Sequence, residues 1–243
     1  MINIPYQNME IEKIYTQIFS EQGRAIAICS ANSGEGVTSL AFALAQRNLL
    51  AGHSTLLVDL NLYRPALQEQ LSINEASSNL PCTLSQAILA IPQLVSVSNN
   101  NLTITGISAP SKRENIIKLR QPGVLKQCIG EWLKEYDCVL IDTSPLNRVN
   151  AQNIPAEQVA AACDGAILSV LTGQTSEVMI SNAVNKLNTS KANILGCVFN
   201  DRDNPSLKNE LLREVQRFGK ICPWLSRKLT AFIHNNHLLT LDI

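Results

Sequence analysis

At 243 residues, with 45% hydrophobic and 16% charged side chains, the chain has enough apolar material for a buried core and too little charge for a disordered polymer. Twenty Lys and Arg balance twenty Asp and Glu, which argues against a global field for nucleic acid or an anionic membrane and leaves only local patches. No apolar run approaches the ~20 residues of a membrane span, and Met1–Lys13 lacks the charged-then-apolar pattern of an export signal, so a cytoplasmic protein is expected.

The elements predict one α/β domain over residues 1–243, with an N-terminal helix region over 1–23 and a C-terminal helical tail over 204–243. Short apolar runs read as strands: Ala25–Cys29, Thr55–Val58, Leu102–Thr105, Cys138–Ile141, Ala166–Val170 and Ile194–Phe199. Each is nearly continuous in apolar character, the mark of parallel strands buried on both faces. Helical spacing lies between them, over Ser39–Ala51 with a stop at Gly52, over Gly123–Tyr136 and over Ser176–Asn188. Ser72–Asn101 is more polar and reads as a helix flanked by surface loops. The alternation implies a three-layer sandwich, a mostly parallel sheet between helices.

The seven cysteines form no C-x-x-C pair, and Cys29, Cys138 and Cys197 fall inside strand-like runs, where inert core thiols are expected. Three histidines without clustered Cys or carboxylates do not suggest zinc.

The first strand runs into Ser30-Ala31-Asn32-Ser33-Gly34-Glu35-Gly36-Val37-Thr38-Ser39 and then a helix. A strand, a glycine-bearing loop and a helix N-terminus make an anion cradle, because backbone N–H groups converge there and glycines allow close approach. Thr38 stands where such a loop places a magnesium-binding hydroxyl.

This loop resembles the P-loop of the bacterial tyrosine kinases and their relatives in capsule and exopolysaccharide synthesis. That branch shares a superfamily with the chromosome-partition and Min-system ATPases. Asp59-Leu60-Asn61-Leu62-Tyr63-Arg64-Pro65 resembles the second motif of the branch, and Tyr136–Pro145 resembles its Walker B run, with Asp142 as the carboxylate. Asp164-Gly165-Ala166, Gly173-x-Thr175 and Gly196–Asn200 follow in the expected order. The resemblance implies a P-loop NTPase fold binding ATP or ADP with Mg2+. Gly34, Glu35, Gly36, Val37, Thr38 and Ser39 would hold the phosphates, Asn200 the base, and Thr38, Asp59 and Asp142 the metal. Asp59 and Asp142 would be the catalytic pair.

The departures from the pattern set the functional expectation. The P-loop lysine position is Val37, and the lysine that often opens the loop is Asn32. Phosphoryl transfer depends on positioned charge, and losing one donor commonly costs ~10²–10³ in rate. The second carboxylate of the second motif is Asn61, which takes no proton. The tyrosines are Tyr6, Tyr15, Tyr63 and Tyr136, so the tyrosine-rich tail of family kinases has no counterpart. The helix motif used in kinase rings reads Glu10, Lys13 and Thr16, with one arginine softened and one gone. The expectation is a catalytically degenerate relative that holds nucleotide weakly. It would regulate polysaccharide synthesis or export through contact with a membrane copolymerase or export protein, with homo-oligomerisation open and no nucleic-acid role. An active ATPase or kinase with a rearranged site, or a positioning ATPase, is the alternative.

In the tail, Leu207, Leu211, Leu212, Val215 and Phe218 recur at helical spacing and suggest a closing helix. Trp224, Leu225, Leu229, Phe232 and Ile233 make a second apolar face beside Arg227 and Lys228. That face suits core packing, a protein partner at the membrane, or lipid.

Overall fold

The computed structural model describes residues 4, 6–19, 23–67, 83–96, 103–148, 150, 152–202, 211, 212, 215 and 223–235. Two compact units are present, residues 1–200 and 201–243.

The first unit is built on a seven-stranded sheet. In chain order its strands are β1 (Ala25–Ser30), β2 (Thr55–Leu60), β3 (Gln93–Ser96), β4 (Thr103–Ile107), β5 (Cys138–Thr143), β6 (Gly165–Leu171) and β7 (Ile194–Asn200). Their spatial order is β3-β4-β2-β5-β1-β6-β7, parallel except for β3 against β4. Every residue of β1, β2, β5 and β6 is buried, which explains their continuous apolar character. Odd positions of β1 (Ala25, Ala27, Cys29) face a cluster with Trp132, Val159 and Leu187. Even positions (Ile26, Ile28) face a second cluster with Ile11, Ile18 and Leu44. The sheet is therefore the middle layer. Helices α5 (Val124–Glu135), α6 (Ala156–Ala162) and α7 (Glu177–Thr189) cover one face; α1 (Met9–Phe19) and α2 (Val37–Leu50) cover the other. The chain leaves β1 toward β2 on one side and later returns to β6 on the other. The carboxyl end of β1 is thus a switch point, where open α/β sheets place ligands.

Three local expectations are corrected. Within residues 72–101 the structure has a short helix, α3 (Leu84–Ile88), and the antiparallel strand β3; residues 68–82 and 97–102 lie outside the described set. The strand is too short for its alternation, Leu94 exposed and Val95 buried, to stand out in sequence. Strand β7 is an edge with exposed residues, Phe199 at 68% exposure among them. Cys197 is accordingly exposed and not a core thiol, whereas burial pushes the Cys29 and Cys138 thiols up to about 12. Helix α4 (Arg113–Leu119) and α6 had no strong periodic signal at seven residues each.

Helix α1 is held to α2 by buried Ile11 and Ile18 and by a two-pronged ion pair, Arg47 Nε to Glu12 Oε2 at 2.5 Å and Arg47 Nη2 to Glu12 Oε1 at 2.7 Å. The Arg47 guanidinium also lies 4.2 Å from the Tyr15 ring centroid. The described residues of the second unit include helix α8 (Pro223–Asn235). Of the suggested closing helix, only Leu211, Leu212 and Val215 are described. No described helix is long and apolar enough to cross a membrane.

Candidate functional site

The loop after β1 turns through Gly34 at φ 90° and Gly36 at φ 92°, left-handed conformations that glycine adopts without strain. Helix α2 then starts at Val37, with Leu40 N donating to Gly36 O at 2.9 Å and no side-chain cap. The N–H groups of a helix's first turn are the anion-binding element of such a fold. Gly36 is also required by space: a Cβ there would sit 2.3 Å from Asn200 Nδ2.

Glu35 between the glycines is 3% exposed and turned inward. Its carboxylate accepts from Ala31 N at 2.9 Å, Asn32 Nδ2 at 3.2 Å and Thr175 Oγ1 at 2.7 Å. Its carbonyl accepts from Ser169 Oγ at 2.7 Å and Asn200 Nδ2 at 3.1 Å. The loop is thus tied to β6, to the turn after it and to the end of β7. Asn200, which the resemblance places at the base, spends an amide hydrogen on the loop itself. In the sequence Glu35 is legible only as a member of the phosphate loop; what its side chain does depends on Thr175, 140 residues away.

Strands β2 and β5 are in register with Asp59 opposite Asp142, so two buried carboxylates stand on neighbouring strands. Asp59 is fixed by backbone amides: Oδ1 accepts from Asn61 N at 2.9 Å, and Oδ2 from Ala66 N at 2.8 Å and Leu67 N at 3.1 Å. It holds the 61–67 turn in place. Asp142 Oδ2 accepts from Thr38 Oγ1 at 2.5 Å, while Asp142 Oδ1 is buried without a hydrogen-bond partner. Burial, and then the charge of Asp59, push the Asp142 carboxyl up to about 8, although the Thr38 hydroxyl and the nearby Asn61 amide act the other way. Asp59 is also raised, by burial against those three amides. An orphaned carboxylate oxygen beside a hydroxyl and a second carboxylate is an all-oxygen set that fits a hard divalent cation such as Mg2+. Thr38, Asp59 and Asp142 are therefore brought together, with Asp142 offering the open oxygen.

Neither lysine position carries a cation. Val37 is 6% exposed and packs into the apolar cluster of α1 and α2. Asn32 Nδ2 bonds the Glu35 carboxylate and lies 3.2 Å from Met179 Sδ. Around the site, Arg148 Nη1 donates to Tyr63 Oη at 2.7 Å, and Lys186 Nζ donates to Leu146 O at 2.5 Å. Neither contact is legible in the sequence, because each joins residues at least 40 positions apart.

No family model matches the chain. It is 26% identical to the tyrosine-protein kinase CpsD of Streptococcus pneumoniae over 187 residues, 77% of this chain and 80% of that protein. The chain is a relative of the bacterial tyrosine kinases. The kinase domain of Escherichia coli tyrosine kinase ETK superposes with a TM-score of 0.59 at 16% identity, covering 84% of each chain. The septum site-determining protein MinD of Pyrococcus horikoshii, complexed with Mg-ADP, gives 0.53 at 20% identity over 75% of this chain and 72% of that one. At these identities the two structures speak for the fold, the P-loop three-layer sandwich expected from the sequence. At the end of its loop this chain carries Gly36-Val37-Thr38.

Proposed function

We propose that the chain is a catalytically weakened relative of the bacterial tyrosine kinases that regulates exopolysaccharide or capsule synthesis through protein contacts. The observation that carries this reading is Val37. Its side chain is packed in the apolar cluster beside α2, so the position that should bring a point charge to the phosphates brings a methyl pair to the core. Asn61 adds a second deficit, because an amide replaces a carboxylate next to Asp142. Glu35 adds an inward-facing carboxylate to the loop. Together these support weak retention of ADP or ATP by the remaining backbone donors and slow or absent transfer. The partner in this reading is a membrane polysaccharide copolymerase or export protein, and the protein works in the cytoplasm at the inner face of the membrane.

The retained Thr38–Asp142 contact favours a second reading, an ATPase or kinase that takes its charge from elsewhere. Steady-state ATP turnover with Mg2+, together with a phosphotyrosine immunoblot, separates the two. The first requires background turnover and no autophosphorylation. Turnover at ~1 s⁻¹, the low end of ordinary enzymes, establishes the second.

A further inference from the structure

Helix α8, Pro223–Asn235, contains no acidic residue and carries Arg227 and Lys228. Trp224, Lys228 and Phe232 follow at four-residue intervals and stand in one row along the helix. Trp224 and Phe232 are each 65% exposed, and Leu229 beside them is 38% exposed. The Lys228 ammonium lies 4.4 Å from the Trp224 ring centroid. Ile233 is only 5% exposed, so the helix has a covered side and an aromatic row left in solvent.

Two exposed aromatic rings about 12 Å apart on one helix are costly to leave in water and mark a contact surface. Charge decides the chemistry of what they meet. Residues Asn204–Ile243 hold six Lys and Arg against three Asp and Glu, in a chain that is neutral as a whole. A surface complementary to this helix is therefore anionic as well as apolar. A phospholipid headgroup layer has both properties at the required depths: rings settle at the headgroup–acyl boundary, and a lysine stem beside a ring lets its ammonium reach the phosphates. At about 20 Å long the helix is too short to cross a ~30 Å hydrocarbon core, so it would lie in the plane.

We infer that α8 is an interfacial helix that rests the Trp224–Phe232 row on an anionic lipid surface. The inference goes beyond the regulatory reading and does not depend on it. One short helix binds such a surface reversibly.

The test is co-sedimentation of the full chain with vesicles of phosphatidylcholine alone and of phosphatidylcholine with 40% phosphatidylglycerol, as about 1 mM lipid. Binding to the anionic vesicles should exceed binding to the neutral ones at least fivefold and should weaken in 0.5 M salt. Tryptophan emission should shift to the blue through Trp224, because Trp132 is already 4% exposed. Trp224→Ser with Phe232→Ser should abolish the binding. Lys228→Glu should reduce it severalfold, with circular dichroism unchanged for these solvent-facing positions. Failure to sediment with anionic vesicles overturns the inference. So does binding that survives both variants, or sedimentation only with native membranes that protease treatment abolishes, which would identify a protein receptor.

Discussion

Asp142 shows how a single residue couples stability to ligand. Burial, and then the Asp59 charge, push its carboxyl up to about 8 in the folded state from an ordinary 3.8, because both disfavour the anion. Between those values the folded protein binds more protons than the unfolded chain, so stability falls as pH rises from about 4 to about 8. The pair titrates as a unit, since Asp59 is raised as well. Denaturant unfolding at pH 5 and pH 8 without divalent cations should show the loss. Asp142→Asn removes the buried anion; it should flatten the profile and stabilise the protein at pH 8 by ~1–3 kcal/mol, the cost of an unsatisfied buried group. A steeper loss in the variant would refute the assignment. At this scale the sequence told only part of the site. Thr38, Asp59 and Asp142 could be named because their spacing along the chain follows a motif. That Asp59 spends both oxygens on Asn61, Ala66 and Leu67 amides depends on a turn conformation that residue types alone do not dictate.

At the scale of elements, the phosphate loop is held by contacts far apart in sequence. Gly36 sits at φ 92° with Asn200 Nδ2 where a Cβ would go. Gly36→Ala therefore meets two costs, the left-handed backbone and the clash, together ~1–3 kcal/mol or more. Gly36→Ala with Asn200→Ala removes the clash and leaves the backbone cost, so the double variant should lose less than the sum of the singles in a thermal-unfolding cycle. Strict additivity would mean that Asn200 does not press on the loop. The elements themselves were legible where apolar runs were long: β1, β2, β5 and β6 are buried end to end, and their runs are unbroken. Strand β7 read the same way, yet it is an edge, because an apolar run does not reveal how many neighbours a strand has. The four residues of β3 and the seven of α4 and α6 are shorter than the windows that periodicity needs.

For the whole molecule, the question is how strongly nucleotide is linked to folding. A ligand that binds only the folded state stabilises it by RT ln(1 + [L]/Kd). If the buried Val37 and the amide at Asn61 leave a dissociation constant near 1 mM, then 1 mM Mg-ADP adds only ~0.4 kcal/mol. In a chain of this size that shifts the melting temperature by about 1–2 °C. Val37→Lys with Asn61→Asp returns a cation to the loop and a carboxylate beside Asp142. If the backbone nest is otherwise intact and the constant falls to ~10 µM, the same ligand adds ~2.7 kcal/mol, or about 5–10 °C. Val37→Lys alone should fall between, because the lysine stem must also leave the apolar cluster that Val37 fills and Asn61 still lacks its charge. Differential scanning fluorimetry with Mg-ADP, with Mg2+ alone as control, reads all three. A large shift already present in the unmodified chain would show that the site binds nucleotide well despite its departures. An equally small shift in the double variant would mean instead that the inward Glu35 carboxylate, tied to Ala31 and Thr175, limits binding. Adding Glu35→Gln to the double variant should then restore the shift.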